Sequence, residues 1–227
     1  MLYYHFLKSK NAIDDFRKKR IKVSTLDSLN DPFELKPYLR FKERGSYNNV
    51  RKEINKKWGL LCFSENWRES LVWGNYADKH KGIALGFEIH KNIEKVEYVL
   101  TREKLELTSN AEENEKLFLN KLAFKKYKKW EYEEEHRMWV KLEDCEKVEN
   151  LKGHEDKVSY FIGFNDNLKI KKIILGCRFN YEKEKEEIEK LAKISDIPII
   201  PTREEWGWYR INEDGTKKKW FLNKKTK

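Results

Sequence analysis

Apolar residues recur along the chain with two different spacings. Short apolar or aromatic-rich runs predict strands at residues 2–7, 21–24, 59–64, 82–89, 130–140, 170–175 and 197–200. Apolar residues three and four apart predict helices near residues 12–16, 71–76, 111–126 and 182–193, and a more polar helix ends near residue 58. The last strand, helix and strand predict a β-α-β unit at the end of the fold.

The order of these elements indicates one folding unit. No internal repeat and no linker rich in Pro, Gly or Ser divides the chain. We therefore predict the α+β class, as a single mixed domain over residues 1–227 in which residues 216–227 form a partly flexible basic tail.

Composition narrows the class of protein further. The 227 residues are 39% apolar and 14% aromatic, enough for a sizeable core. No apolar run reaches the roughly 18 residues that span a bilayer, and the first residues lack a signal-peptide pattern. The three cysteines form no CxxC pair, which argues against a disulfide framework and a zinc site. We expect a cytoplasmic protein with no metal and no membrane contact.

The chain is basic, with 49 Lys and Arg against 39 Asp and Glu and a net charge of +10. An excess of this size favours polyanionic partners, such as nucleic acid or a phosphate-bearing ligand. The alternative is a lysine-rich solvated surface without such a partner. Charge alone leaves both interpretations open.

The common signatures of nucleotide, metal and hydrolase sites are absent, since the sequence has no phosphate loop, GxGxxG, HExxH or GxSxG. Three clusters of aromatic and ionisable residues remain. They are residues 30–34 (Asn-Asp-Pro-Phe-Glu), 73–82 (Trp-Gly-Asn-Tyr-Ala-Asp-Lys-His-Lys-Gly) and 133–137 (Glu-Glu-Glu-His-Arg).

The first two clusters each have a structural and a chemical interpretation. Pro32 excludes helix for Asp31, so the first cluster is a turn that positions side chains. Trp73 and Tyr76 either fill the core or stack on a ligand. His80, taken alone, is more often structural than catalytic.

The third cluster suits glycosyl chemistry. Period-two alternation on a strand places Glu135 beside Arg137, which keeps the carboxylate ionised. A positioned carboxylate stabilises the positive charge that develops at a sugar anomeric carbon. The alternative is a charged strand or helix end at the surface.

Several motifs in a fixed order resemble the bacterial domain of unknown function 2971 family. They are Leu2-Tyr3-Tyr4, Leu29-Asn30-Asp31-Pro32-Phe33-Glu34, Cys62-Phe63-Ser64, the segment from Trp73 to Ile83, Trp130-x-Tyr132-Glu133-x-Glu135-x-Arg137 and Ile173-Ile174-Leu175-Gly176. The resemblance covers nearly the whole chain. The family name itself implies no activity.

The order of elements also resembles, more weakly, the ADP-ribosyltransferases of the DNA-targeting DarT toxin type. The shared features are a Tyr-His pair at Tyr4 and His5, the strand at residues 62–64, a glutamate opening a late strand at Glu135, and a terminal Trp-Tyr pair at residues 208–209. This resemblance implies an ADP-ribosyltransferase-like central split sheet with flanking helices. It also implies NAD as co-substrate, with the nicotinamide between aromatic rings.

The same resemblance implies roles for individual residues. Glu135, with Glu133 and Glu134 as alternatives, is the catalytic carboxylate, held by Arg137, and His80 faces phosphate or target. The cofactor-binding set is Tyr4, His5, Asn30, Asp31, Phe33, Ser64, Trp73, Tyr76 and Lys81. Candidate phosphate contacts are Arg40, Arg44 and Arg51.

The leading hypothesis is therefore an NAD-dependent ADP-ribosyltransferase, or NAD glycohydrolase, that modifies DNA or RNA in a toxin or anti-phage defence setting and can have an antitoxin or other protein partner. The alternatives are a non-enzymatic nucleic-acid-binding module and a protein-interaction subunit. The enzyme hypothesis requires the Asn30 turn, residues 73–81 and the Glu135 strand to meet around one pocket.

Overall fold

The computed structural model describes residues 1–149, 158–194 and 197–217. Its strands are β1 (Leu2–Leu7), β2 (Arg20–Thr25), β3 (Trp58–Ser64), β4 (Ile83–Ile89), β5 (Glu94–Lys95), β6 (Glu97–Val99), β7 (Lys125–Tyr127), β8 (Glu135–Lys141), β9 (Glu146–Val148), β10 (Ser159–Gly163), β11 (Leu168–Leu175), β12 (Ile199–Glu204) and β13 (Ile211–Glu213). Its helices are α1 (Ser9–Arg17), α2 (Arg44–Lys57), α3 (Ser70–Tyr76), α4 (Ala111–Asn120) and α5 (Tyr181–Ile194). The chain thus combines helices and strands, as the sequence predicts.

Eleven of the strands form one mixed sheet. Its order is β13-β12-β11-β4-β1-β3-β2-β10-β9, with β8 also paired to β3 and β5 beside β8, while β6 and β7 form a separate parallel pair. Within the large sheet β11 and β12 are parallel and α5 connects them, with Ile173 opposite Ile199. The predicted β-α-β unit is therefore confirmed.

The sheet divides at β3. One edge of β3 pairs with β8 along its whole length, from Trp58 to Ser64. The other edge is shared, because β2 pairs at Gly59 and Leu60 whereas β1 pairs only at Ser64. In the described part of the chain, no ladder pairing covers this edge between Leu60 and Ser64, so β1 and β2 leave a gap beside the middle of β3.

Helices cover both sides of the sheet and bury three apolar clusters. The amphipathic helix α1 buries Ala12, Ile13 and Phe16 in the largest cluster, which Ile188 of α5 also joins. Helix α3 contributes Trp73 to the second cluster, on β1, β4 and β11. Helices α2 and α4 form the third cluster over β3 and β8, with Tyr47, Ile54 and Phe118 packed on Leu60 and Trp139. These helices hold both walls of the gap in place.

Two predicted elements differ from the structure. The predicted helix over residues 111–126 ends at Asn120, and Lys125 and Lys126 belong to β7, because they pair with β6. The predicted strand over residues 130–140 begins only at Glu135, since a 3-10 helix over Lys128–Glu133 and the left-handed residue Glu134, with φ 44°, precede it. Both differences bring charged residues, Lys126 of β7 and Glu135 of β8, to the same part of the fold.

Three other predictions concern membrane contact, the cysteines and the basic tail. No helix in the described ranges is long and apolar enough to cross a membrane. The three cysteines are free. The predicted basic tail lies outside the described residues from residue 218 onward.

Candidate functional site

A cleft of about 270 Å³ occupies the gap beside β3. Its walls come from β1 and β2, from the exposed edge of β3, from the Asn30 turn, from α3 and from the start of β8. Its lining includes Tyr4, His5, Asn30, Ser64, Tyr76, Glu133 and Glu135. Three predicted segments thus meet around one cavity: the Asn30 turn, Tyr76 of residues 73–81, and Glu135.

His5 closes the unpaired part of the β3 edge. Its Nδ1 lies 2.8 Å from the Cys62 carbonyl oxygen, which can only accept a hydrogen bond, so Nδ1 carries the proton. Burial lowers the pKa of His5, and the hydrogen bond to Cys62 offsets this only in part. His5 is therefore a neutral imidazole at pH 7, with the lone pair on Nε2.

Five charged side chains form a buried cluster at one wall of the cleft. Lys126 Nζ donates to Glu34 Oε1 at 2.8 Å, to Glu133 Oε2 at 2.5 Å and to Glu135 Oε2 at 2.9 Å. The Arg137 guanidinium donates to Glu135 Oε1 from Nε at 2.7 Å and to Glu34 Oε2 from Nη2 at 2.9 Å. All five side chains are at most 6% exposed, so water screens these charges little.

The cluster contains three carboxylates against two cations, and the structure resolves this imbalance by shifting two pKa values apart. Burial raises the pKa of Glu133; Lys126 opposes the rise, and the Glu135 carboxylate adds to it. Burial acts on Glu135 in the same direction, but Arg137 and Lys126 together lower its pKa well below its usual range. Glu135 is therefore a fixed carboxylate, whereas Glu133 is the more readily protonated member of the pair.

Local backbone geometry brings the two carboxyls together. The 3-10 helix ends at Glu133, and the left-handed turn at Glu134 redirects the chain into β8. The Glu135 amide then donates to the Tyr98 hydroxyl at 2.8 Å, which fixes the first residue of β8. Tyr76, at the end of α3, donates its hydroxyl proton to Glu133 Oε1 at 2.6 Å. The more readily protonated carboxyl is therefore bonded to Tyr76, which also lines the cleft.

A second, larger cavity of about 580 Å³ lies against the same cluster. Asn30, Glu34 and Lys126 line both cavities. The rest of the wall of the larger cavity comes from the segments on either side of Glu34, from residues 99–103, and from Leu122, Lys125, Tyr127 and Trp130. The buried charges therefore form the boundary between two neighbouring cavities.

Some predicted site residues line a cavity, one is buried behind the cleft, and a third group lies outside both cavities. Tyr4, His5, Asn30, Ser64, Tyr76 and Glu135 line the cleft, and Asn30, Asp31 and Phe33 line the larger cavity. Arg137 is fully buried behind Glu135 and lines neither cavity, so it acts as a positioning residue. The third group, Trp73, His80 and Lys81, lies outside both cavities.

The structure corrects the expected placement of this third group. Trp73 is fully buried in the core, where its indole Nε1 donates to the Trp67 carbonyl oxygen at 2.6 Å. It is not available to stack on a ligand. His80 follows α3, and its carbonyl oxygen accepts from the Arg178 amide at 3.0 Å, away from the cleft. Lys81 is exposed beside it.

The candidate phosphate contacts also lie elsewhere. Arg40, Arg44 and Arg51 line neither cavity. Arg51 instead pairs with Asp27 and donates to the Leu26 carbonyl oxygen at 2.8 Å, which ties α2 to the segment after β2.

Sequence reasoning missed one member of the charge cluster. Lys126 lay inside a predicted lysine-rich helix, where it had the appearance of a solvated residue. Glu34 and Glu133 were part of the predicted clusters, but nothing in the sequence indicated that both would bind the same ammonium group. Short strands such as β6 and β7 give only a weak local signal.

Comparison with models of protein families, with curated proteins and with solved structures gives no match. In the described ranges, no group of three or more His, Cys, Asp and Glu side chains is arranged to hold a metal ion. The interpretation of the site therefore depends on its own geometry and charges.

Proposed function

We propose that the chain is an NAD-consuming enzyme with an ADP-ribosyltransferase-like fold that transfers ADP-ribose to a polyanionic target, DNA or RNA. One observation carries the proposal: Glu133 and Glu135 share the Lys126 ammonium at the cleft wall, yet the first has a raised pKa and the second a lowered one. Glycosyl-transfer sites use such a pair as a proton carrier and a permanent carboxylate.

The residues around the cleft have distinct tasks in this proposal. When bound, NAD supplies an N-glycosidic bond whose cleavage releases nicotinamide and develops positive charge on the ribose. Glu135 keeps a fixed negative charge near that carbon, and Arg137 prevents it from becoming protonated. Tyr76 donates a hydrogen bond to Glu133 at 2.6 Å and holds that carboxyl at the cleft wall; the departing nicotinamide is neutral and takes up no proton. The lone pair on Nε2 of neutral His5 is available to take the proton that the acceptor group loses when ADP-ribose is transferred to it.

The cleft fits half of a dinucleotide. Its volume of about 270 Å³ lies just below the roughly 300–1,000 Å³ of pockets for drug-sized ligands. Tyr76, which is only partly buried, provides aromatic surface, and His5 and Ser64 provide polar atoms for a carboxamide or a ribose hydroxyl. This lining suits nicotinamide riboside, with the rest of the molecule extending past Asn30.

Tyr76→Phe tests the proposal at the cleft with little risk to the fold. The change removes only the hydroxyl that donates to Glu133. We expect nicotinamide release from NAD to fall roughly 10-fold, the value of one hydrogen bond to a charged group, and the acidic limb of the pH profile to move upward, because the Tyr76 hydrogen bond lowers the pKa of Glu133. Thermal stability should change by only about 1 kcal/mol, the value of one hydrogen bond.

Tyr132→Phe is the matched control. Tyr132 accepts a hydrogen bond from Asn75 at 3.0 Å and lines neither cavity, so its loss should leave NAD turnover unchanged. Equal turnover by the two variants would contradict the proposed role of the Tyr76–Glu133 pair. Glu135→Gln is less informative, because Glu135 binds both Arg137 and Lys126, so its loss disturbs the buried charge cluster as well as any reaction in the cleft.

The acceptor is identified by incubation of the chain with labelled NAD and, separately, single-stranded DNA, RNA and protein. We expect label to remain on one of the two nucleic acids. Release of nicotinamide without retained label identifies a glycohydrolase, whereas intact NAD in all three incubations refutes NAD chemistry.

One observation favours a second candidate, the non-enzymatic nucleic-acid-binding module. The connection between β12 and β13 exposes Trp206, Trp208 and Tyr209, which are 91%, 68% and 98% exposed. Aromatic faces of this kind stack on bases. Salt-dependent binding of single strands without any consumption of NAD would select this function over the first.

A further inference from the structure

The larger cavity combines aromatic and cationic surface in a way that the cleft does not. Phe33 and Tyr127 are 68% and 49% exposed, although large apolar rings usually gain stability from burial. Trp130, half-buried, completes the aromatic wall. An aromatic wall that is open to solvent offers stacking surface to a flat heterocycle.

Two cations accompany this wall. In the part of the chain that the structure describes, neither Lys36 nor Arg102 forms an ion pair with a carboxylate, although both line the cavity. The Arg102 guanidinium lies 5.5 Å from the centre of the Phe33 ring. By contrast, Lys125 is already neutralised by Glu97 and Glu103, at 2.7 Å and 2.6 Å. Lys36 and Arg102 therefore remain available to an anionic group.

We propose that the larger cavity is a nucleotide-binding site, in which a base stacks on Phe33 and its phosphate contacts Arg102 and Lys36. Its volume of about 580 Å³ lies well inside the roughly 300–1,000 Å³ range of ligand pockets. The chemistry is that of a nucleoside phosphate, which either the acceptor strand or the adenylate half of the dinucleotide supplies.

The position of this cavity connects it to the proposed reaction. Asn30, Glu34 and Lys126 belong to both cavities, so a nucleotide in the larger one lies next to the Glu133 and Glu135 pair. Lys126 Nζ also lies 5.1 Å from the centre of the Trp130 ring. The link between this nucleotide and the reaction depends on the proposed function, which assigns the chemistry to the cleft. Nucleotide binding in the larger cavity does not depend on it.

The test measures binding without NAD, so that it remains informative if NAD chemistry fails. The probes are 5′-AMP, a fluorescent single-stranded DNA oligonucleotide and an RNA of the same sequence. Phe33→Ala should weaken binding of at least one probe about 5- to 150-fold, as for the loss of one stacked base. Arg102→Gln should weaken it as well, and should reduce the salt dependence of oligonucleotide binding by about one phosphate contact.

The matched controls are Phe41→Ala and Arg203→Gln, which change an exposed ring and an arginine outside both cavities. Both should bind the probes as the unchanged chain does. All four substitutions are at exposed side chains, so folding should survive. Unchanged binding in Phe33→Ala and Arg102→Gln would overturn the assignment, as would a loss of binding seen only when Trp206, on the β12–β13 connection, is replaced by alanine.

The same probes separate the two sources of the nucleotide. Displacement of NAD by 5′-AMP, measured with the unchanged chain, identifies the adenylate half. Simultaneous binding of NAD and an oligonucleotide identifies the acceptor strand. Full cleavage of NAD in Phe33→Ala with no transfer to the strand would support the second source.

Discussion

Replacement of Arg137 by leucine tests whether the buried charges behave as one balanced unit. The side chain is fully buried, and its guanidinium donates to Glu135, to Glu34 and to the Ala123 carbonyl oxygen at 2.7 Å. Leucine removes a positive charge and all of these hydrogen bonds. It leaves three carboxylates around the single ammonium of Lys126.

The expected cost is large compared with the stability of a typical domain. Loss of one partner from a buried ion pair costs about 3–5 kcal/mol, because the remaining charge stays desolvated. For a chain of 227 residues each kcal/mol lowers the melting temperature by about 2–4 °C, so a fall of roughly 6–20 °C is expected. Typical domains are stable by about 5–15 kcal/mol, so the cost is a large share of the total, and measurements are made at low temperature, where the variant is most stable.

The pH dependence of this cost follows from the lowered pKa of Glu135. In the unchanged chain Glu135 contributes stability above its unfolded pKa of 4.5, and this stability is lost as the pH falls through the lower folded value. Without Arg137 most of that contribution disappears. The difference in unfolding free energy between the two chains should therefore be greatest near pH 7 and should shrink as the pH falls below about 4.5.

Urea denaturation at pH 7 and pH 4, followed by circular dichroism, measures this difference. Arg17→Leu is the control, since Arg17 bonds Glu187 at 2.8 Å with both side chains about half exposed, and its loss should cost at most about 1 kcal/mol. A cost for Arg137→Leu equal to that of the control, or a cost that grows towards pH 4, would refute the balanced-charge interpretation.

Three further predictions concern stability. Burial raises the pKa of Asp15 from 3.8 to about 7. The stability that the neutral acid contributes is therefore complete below pH 4 and is lost as the pH rises to 7, a difference of roughly 4 kcal/mol in the free energy of unfolding. Asp15→Asn should abolish this pH dependence in urea titrations. Asn110→Ala removes the cap that accepts from the Glu112 amide at 2.9 Å and should cost about 1 kcal/mol by thermal denaturation, with no cost indicating that water replaces the cap. Gly82→Ala should strongly destabilise the fold, because a Cβ there would lie 2.1 Å from the Leu7 carbonyl oxygen. Gly45→Ala, in helix α2 with open space around it, should stabilise the fold by about 0.5–1 kcal/mol. Equal melting temperatures for the two variants would contradict both expectations.

The sequence by itself determined the elements that carry strong periodic signals. The apolar faces of α1 and α5 and the continuous apolar run of β4 have local patterns that only one secondary structure can bury. The turn around Pro32 was equally local, because Pro restricts the residue before it. Alternation on β8 also placed Glu135 and Arg137 on one face, as their 2.7 Å contact confirms.

Only the tertiary structure decided which of the candidate residues share a site. Lys126 points at three carboxylates because β7 pairs with β6, a contact that no local pattern encodes. Adjacent glutamates indicate a solvated surface when they are considered alone, and Glu133 and Glu135 are buried only because Lys126 and Arg137 offset their charges. The cleft itself results from the divergence of β1 and β2 at β3, which depends on pairing between residues far apart in the sequence.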